Sequence, residues 1–219
     1  MFDIASSETH LTEALQSRET RTSPGIGYVL GKRVFDIILS IVLLPLLLIF
    51  AVVLLVANPF ANQGPLMFVQ QRMGRDGIGF MAFKFRSMTN VPAISRSADD
   101  PLELDRITKL GRFIRKTRID ELPQILNVLR GEMSLVGPRP DAFDHALHYI
   151  ETVPGYANRL TVLPGISGLA QTEVGYVEGT EATRAKVSAD LYYIANRSLQ
   201  LEAWIVYRTF AVILRRAGA

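Results

Sequence analysis

The chain has no cysteine. Disulfides, thiolate metal sites and thiol nucleophiles are therefore excluded. Only three histidines are present, His10, His145 and His148, and none sits in a zinc-ligand spacing. No Walker lysine, dinucleotide fingerprint, internal repeat or nucleic-acid-binding motif can be found, so the basic residues do not read as a DNA or RNA surface. Neither charge sign dominates: 24 Lys and Arg face 21 Asp and Glu, a formal net charge of +3. The basic residues concentrate between 72 and 139, a strip that suits anionic lipid or a phosphorylated small molecule.

Charge is missing altogether from residues 37–57, IILSIVLLPLLLIFAVVLLVA. This run explains a positive mean hydropathy of +0.19. Its 21 residues, as a helix, cover about 30 Å, one hydrocarbon thickness. It begins too late and runs too long for a secretory signal peptide. Lys32 and Arg33 precede it, and Arg72, Arg75, Lys84 and Arg86 follow. Basic flanks on both sides point both ends to the cytoplasm. A helix that enters one leaflet, bends at Pro45 and returns satisfies that bias. A bitopic helix with a proline kink is the alternative, and both stay open at this level.

The fold class expected is an α-dominated α+β protein. It comprises a polar tail (1–30), a membrane-embedded helix (31–58) and a small cytoplasmic catalytic domain of amphipathic helices (59–219). Residues 66–69 and 80–86 read as strands of a hairpin around the Gly74–Gly79 turn, with Lys84 and Arg86 on one face. Residues 89–101 read as a loop and 102–117 as roughly helical. A helix opens near Asp120 and ends at Gly131, with Pro123 in its first turn. Further helices are expected over 141–151, 179–196 and 198–216. The last carries Trp204 and Tyr207 beside Arg208, with Arg215-Arg216 at its end, and suits the headgroup zone or ordinary packing on the core.

The chemistry concentrates in RKTRIDELPQILNVLRGEMSLVGPRP, residues 115–140. Asp120 and Glu121 are adjacent and follow Arg115, Lys116 and Arg118. A single acid at a helix start usually caps the helix. Here cations surround the pair, which should hold both carboxylates ionised, fit to act as metal ligand or nucleophile. In Gly137-Pro138-Arg139-Pro140 two prolines fix the backbone around one arginine, a pre-set phosphate donor. The Gly-rich stretch from Pro164 to Gln171 could present backbone N–H groups to a phosphate. Carboxylates with a divalent metal, arginines on phosphate and a membrane element together point to a lipid phosphate, or to a soluble and a lipid substrate meeting at the interface.

These pieces resemble, in order, the bacterial sugar transferase family, the small monotopic polyprenol-phosphate phosphoglycosyl transferases. The resemblance rests on Lys32-Arg33-x-Phe35-Asp36, Gln71-Arg72-x-Gly74, Phe83-Lys84-Phe85-Arg86-Ser87-Met88 and Arg115-x4-Asp120-Glu121-Leu122-Pro123-Gln124. It continues through Leu126-Asn127-Val128-Leu129-x-Gly131-x-Met133-Ser134, Val136-Gly137-Pro138-Arg139-Pro140, Pro164-Gly165-Ile166-Ser167-Gly168-x-Ala170-Gln171 and Asp190-Leu191-Tyr192-Tyr193. It covers about residues 32–216. It implies transfer of a sugar-1-phosphate from a UDP-sugar to polyprenyl (undecaprenyl) phosphate with release of UMP, at the cytoplasmic face of the bacterial inner membrane, in exopolysaccharide or glycan assembly.

The resemblance further implies Asp120 as nucleophile, Glu121 and Asp120 as ligands of Mg²⁺, and Arg115, Lys84 and Arg139 as phosphate-holding groups, with Asp190 completing the polar site. Arg33, Arg86, Pro138, Gly165, Gly168, Gln171 and Tyr193 are the implied substrate-binding residues. The bilayer is a partner, a homodimer stays open, and the sugar leans to glucose or galactose. The chain resembles the small form of the family, without the extra membrane helices of larger relatives. Two departures stand out. Pro45 follows Leu44 where many relatives carry Ser-Pro, leaving Ser40 to supply a kink hydrogen bond, and Leu169 replaces a commonly aromatic residue. A non-catalytic scaffold that binds lipid phosphate is the competing reading.

Overall fold

The computed structural model describes residues 25–90, 100, 103–174 and 180–214. The sequence-predicted tail over 1–24, most of the 89–101 loop and Arg215-Arg216 lie outside the described residues.

A single helix, α1, runs from Ile26 to Ala61. It is longer at both ends than the charge-free run requires. Tertiary contacts explain the extension. At its start the Tyr28 hydroxyl donates to Glu202 Oε1 at 2.7 Å, and Lys32 Nζ pairs with Glu202 Oε2 at 2.7 Å. At its end the Asn62 N–H closes on Asn58 O at 2.9 Å, and Asn62 Nδ2 donates to Arg86 O at 2.7 Å. Between these anchors Ile41, Val42, Leu46, Leu48, Ile49, Val52 and Val53 are exposed. Among the described residues α1 alone is long and apolar enough to cross a membrane. Ser40 is fully buried, but its hydroxyl has no hydrogen-bond partner among the described residues, so the hydrogen bond expected of it at the Pro45 turn is not made.

The expected hairpin is present. Strand β1 (Met67–Met73) pairs antiparallel with β2 (Gly79–Phe85), with Phe68 opposite Lys84. The helix expected from 102 is shorter: after an irregular stretch, α2 spans Lys109–Lys116, its N-terminus capped by the Thr108 side chain accepting from Gly111 N at 2.9 Å. Before it, Leu104–Arg106 make a single 3-10 turn, and Ile107 is extended and bridges Met88. Asp120 and Glu121 then lie in a 3-10 turn, Ile119–Gln124, ahead of helix α3, Ile125–Arg130. Gly131, at φ 83, ends α3 as expected.

A short parallel pair was not anticipated: β3 (Ser134–Val136) lies beside β4 (Gly165–Ser167). Three-residue strands carry too little periodicity to be read from sequence. Helices α4 (Phe143–Thr152), α5 (Leu169–Glu173), α6 (Thr180–Ala195) and α7 (Leu199–Leu214) complete the chain.

The main core gathers Phe80, Val128, Met133, Val136, Tyr193 and Ile205 from β2, α3, β3, α6 and α7. A second cluster joins α1 to β2 and α2. Leu54 of α1 is buried against Phe85 and Ile114, with Leu47 and Phe50 beside it. Burying such side chains stabilises by about 1.5–3 kcal/mol each. The start of α1 is fixed to the same domain: Arg33 Nη1 and Nη2 donate to Val128 O (2.8 Å) and Leu129 O (3.2 Å), carbonyls of the last turn of α3. Buried Asp36 accepts from Leu135 N at 3.1 Å.

Candidate active site

The site is built where α2 ends. Arg118, in left-handed conformation (φ 58, ψ 14), turns the chain out of α2, and the Glu121 N–H bonds Arg118 O at 3.1 Å. This turn delivers Asp120 and Glu121 side by side into the interior, both buried. They are not the first turn of an α-helix, as the spacing suggested. Glu121 takes side-chain cations as its partners, and the helix-capping reading loses its basis.

Glu121 is surrounded. Lys84 Nζ donates to its Oε1 at 3.1 Å. Arg139 donates through Nη1 to Oε2 at 3.2 Å and through Nη2 to Oε1. Arg118 Nη1 stands 3.8 Å from Oε1. Burial alone would raise the Glu121 pKa, but the charges of Arg139, Lys84 and Arg118 outweigh it and hold the group well below the usual carboxylate range.

Asp120 behaves differently. Its Oδ1 is buried with no hydrogen-bond partner among the described residues. Burial, then the adjacent Glu121 charge, push its pKa up to about 6 against the pull of Lys84, Arg115 and Arg139. The expectation that both carboxylates are held down by cations is thus met by Glu121 and corrected for Asp120. Glu121 takes the cations' hydrogen bonds, and Asp120 has the desolvation without them. Burial lowers the Lys84 ammonium to about 8, partly offset by Glu121.

Each cation is held by its own scaffold. Lys84 comes from β2, which buried Asn127 of α3 locks by accepting from Phe83 N at 3.1 Å and donating to Met81 O at 2.8 Å. Arg139 sits on the turn after β3. Gly137 N donates to Ser167 O at 2.8 Å, and Gly165 N to Pro138 O at 2.9 Å. A Cβ on Gly165 would stand 2.1 Å from Gly137 N, and one on Gly168 2.3 Å from Gly137 O. These glycines let two backbones touch and so clamp the Arg139 turn. The turn's carbonyls are also held: Arg159 Nη2 donates to Arg139 O and Arg72 Nη1 to Pro140 O, both at 2.7 Å.

Asp190 lies behind the site. Arg159 Nη2 is 2.7 Å from its Oδ2, and the same arginine pairs with Asp141, which Lys186 Nζ approaches at 2.6 Å. Tyr156 donates to Asp141 Oδ2 at 2.7 Å. Asp190 therefore acts through Arg159 on the Arg139 turn. Arg159, Asp141, Tyr156 and Lys186 escaped sequence reasoning, and only Asp141, directly after Pro140, carried a signal.

The structure thus brings together Lys84, Asp120, Glu121 and Arg139, with Arg115 near enough to favour the Asp120 anion. Other nominated residues are committed elsewhere. Arg33 caps α3. Arg86 donates to Pro65 O, Met88 O and Asn62 O, tying the end of α1 to the hairpin. Tyr193 donates to Glu202 Oε1 at 2.6 Å in the core. Gln171 donates to Ile166 O at 2.9 Å, its Oε1 buried without a partner among the described residues. Pro138 borders a small cleft with Arg139, Tyr156 and Arg159.

No three His, Cys, Asp or Glu side chains converge as a metal cage among the described residues. A magnesium ion, however, needs only one or two carboxylates and completes its shell with water and substrate phosphate. Asp120 fits that requirement through its Oδ1, which has no hydrogen-bond partner among the described residues, whereas both Glu121 oxygens accept from Arg139 or Lys84 and would have to exchange those bonds for the ion.

Comparison with known proteins identifies the family. The family model described as bacterial sugar transferase matches residues 27–216. An Aeromonas hydrophila protein named UDP-N-acetylgalactosamine-undecaprenyl-phosphate N-acetylgalactosaminephosphotransferase is 40% identical over 197 residues, covering 90% of this chain and 46% of its own length. A Caulobacter vibrioides UDP-glucose:undecaprenyl-phosphate glucose-1-phosphate transferase is 39% identical, covering 95% of this chain and 79% of the relative. The exopolysaccharide production protein PSS of Rhizobium leguminosarum is 38% identical over 84% of this chain and 96% of its own. This chain thus spans about half the length of the first relative and nearly all of the last. A match over so much of the chain, at these identities, makes it a member of the bacterial sugar transferase family.

Proposed function

We propose that the chain transfers a sugar-1-phosphate from a UDP-sugar to a polyprenyl phosphate such as undecaprenyl phosphate, releasing UMP, through a covalent intermediate on Asp120. The observation that carries this reading is the difference between two adjacent carboxylates. Glu121 is paired with three cations. Asp120 has a buried oxygen with no hydrogen-bond partner among the described residues and a pKa pushed up to about 6. A desolvated carboxylate that is still mostly ionised at neutral pH is a competent nucleophile.

In the first step an Asp120 oxygen attacks the β-phosphorus of the donor. The bond from that phosphorus to the bridging oxygen breaks, and the oxygen leaves on UMP with its electron pair. In the second step a phosphate oxygen of the lipid attacks the same phosphorus, and the bond to Asp120 breaks. Arg139, Lys84 and Arg115 stabilise the charge on the phosphoryl oxygens, acting from fixed positions. A covalent intermediate lets two mutually repelling anions use one pocket in turn. Asp120 would hold Mg²⁺ through its Oδ1, joined by Glu121 once a substrate phosphate draws Arg139 and Lys84 away from it, and the ion would supply Lewis-acid neutralisation of phosphate charge.

Membrane placement follows from α1. Both its ends attach to one domain, Arg33 and Asp36 at α3 and β3, and Leu54 and Asn62 at β2 and Arg86. At about 1.5 Å per residue, a straight 36-residue helix across a bilayer would leave one of those ends on the far side. This favours a re-entrant helix, with the catalytic domain on the cytoplasmic face of the inner membrane. Exposed Trp204, Tyr207 and Phe210 on α7 and exposed Lys109, Arg112, Phe113 and Lys116 on α2 suit the headgroup zone. The relatives' names carry different sugars, so the donor is best found with a panel of UDP-glucose, UDP-galactose and UDP-N-acetylgalactosamine. The test is UMP release with polyprenyl phosphate by the wild type and by Asp120→Asn. Release by the substituted protein at the wild-type rate would refute the reading.

A further inference from the structure

Arg118 has so far been given no contact with substrate, yet its conformation is unusual. It is one of two non-glycine residues with positive φ among the described residues. In this region Cβ crowds the following carbonyl, and glycine or asparagine fits with less strain. A strained residue two positions before a proposed nucleophile suggests that its side chain is put to use.

The surroundings say what that use is. Both Glu121 oxygens already accept hydrogen bonds from Arg139 or Lys84. The Arg118 guanidinium approaches to 3.8 Å without making a hydrogen bond that any described residue accepts, so Glu121 does not consume its donors. The Arg118 side chain is 30% exposed, against 24% for Arg139 and 17% for Lys84. It is therefore the most exposed of the three cations around Glu121. Arg115, one helical turn earlier, contacts Met88 Sδ from Nη1 at 3.9 Å and is close enough to favour the Asp120 anion, so two guanidinium groups stand beside the carboxylate pair, one near each acid.

We infer that Arg118 is a further phosphate-binding residue, taking oxygens of the nucleotide diphosphate ester on the solvent side of Asp120. This rests on the transferase reading and deepens it. Arginine's planar fork binds two phosphate oxygens at once, which a lysine cannot reproduce.

The test uses the full chain in lipid nanodiscs, with Arg118→Asn and Arg118→Lys beside the wild type. UMP binding is followed by thermal shift, and KM and kcat are measured with the UDP-sugar that the wild type uses. Arg118→Asn is expected to melt at or above the wild-type temperature, since asparagine tolerates this backbone region. It should bind UMP about 10- to 100-fold more weakly, the range for losing a hydrogen bond to a charged group. KM should rise by a similar factor while kcat changes less, and Arg118→Lys should recover part of the loss. Unchanged UMP affinity in Arg118→Asn, no UMP binding by the wild type, or a weakening matched by a fall in melting temperature would overturn the inference. A wild type that binds UMP but releases none from any UDP-sugar would instead refute the transferase reading, with Arg118 still judged on UMP binding.

Discussion

Glu121 and Arg139 stand 18 residues apart and form a two-pronged pair, with Nη1 3.2 Å from Oε2 and Nη2 on Oε1. Lys84 joins the same Oε1 at 3.1 Å. This anchoring leaves the neighbouring Asp120 as the carboxylate without hydrogen-bonded cations, and the two side chains should respond oppositely to the same chemical change.

Glu121→Gln removes the charge that Arg139 and Lys84 share. Breaking a buried ion pair costs about 3–5 kcal/mol, and the partial exposure of both cations places this site at the lower end. A melting temperature lowered by several degrees, together with loss of UMP release, is the expected outcome. Unchanged stability would show that the pairing does not hold the site together.

Asp120→Asn should instead stabilise the resting protein in chelator-containing buffer. The folded pKa of about 6 lies above the ordinary value of 3.8. Ionised Asp120 therefore opposes folding at pH above about 6, and this opposition fades as pH falls towards 4. A tenfold change in proton affinity is worth about 1.4 kcal/mol, so a gain of about 1–3 kcal/mol is expected at pH 7.5, shrinking at pH 5. Denaturant melts of both proteins at the two pH values measure it. A loss of stability at pH 7.5 would contradict the assignment.

Much of this arrangement was legible in the residues themselves. The apolar run gave α1, and the Gly74–Gly79 turn gave the hairpin. Asp120, Glu121, Arg139 and Lys84 stood out because acids and cations of these types recur with proline and glycine punctuation. Other features were not legible. Arg86 shares the period-two pattern with Lys84, but it lies just past the strand and its donors go to carbonyls. Arg159 is a lone arginine in a short 3-10 helix, Tyr156–Thr161, and only tertiary packing brings it to Asp190 and Arg139 O. The strained backbone at Arg118 has no sequence signature, because glycine and asparagine are the residues that announce it.

Asp190→Asn should separate support from chemistry. Its route to the reacting atoms runs through Arg159 to Arg139 O. The substitution should lower stability by about 3 kcal/mol, as for a broken buried pair, and retain measurable UMP release. A loss as complete as that of Asp120→Asn would give Asp190 a direct role.

The native absence of cysteine makes topology accessible. Gly25 and Gln63 flank α1 and are exposed. Single cysteines at these positions should both react with an impermeant thiol reagent from the same side of inverted membrane vesicles. Labelling from opposite sides would establish a spanning helix and rule out the re-entrant one.

The most direct measurement is mass spectrometry of the protein incubated with its UDP-sugar in the absence of lipid acceptor. The tryptic peptide from Ile119 to Arg130 should gain the mass of one sugar phosphate, on Asp120, and lose it when polyprenyl phosphate is added. UMP release with this peptide left unmodified at every time point would contradict a covalent intermediate on Asp120.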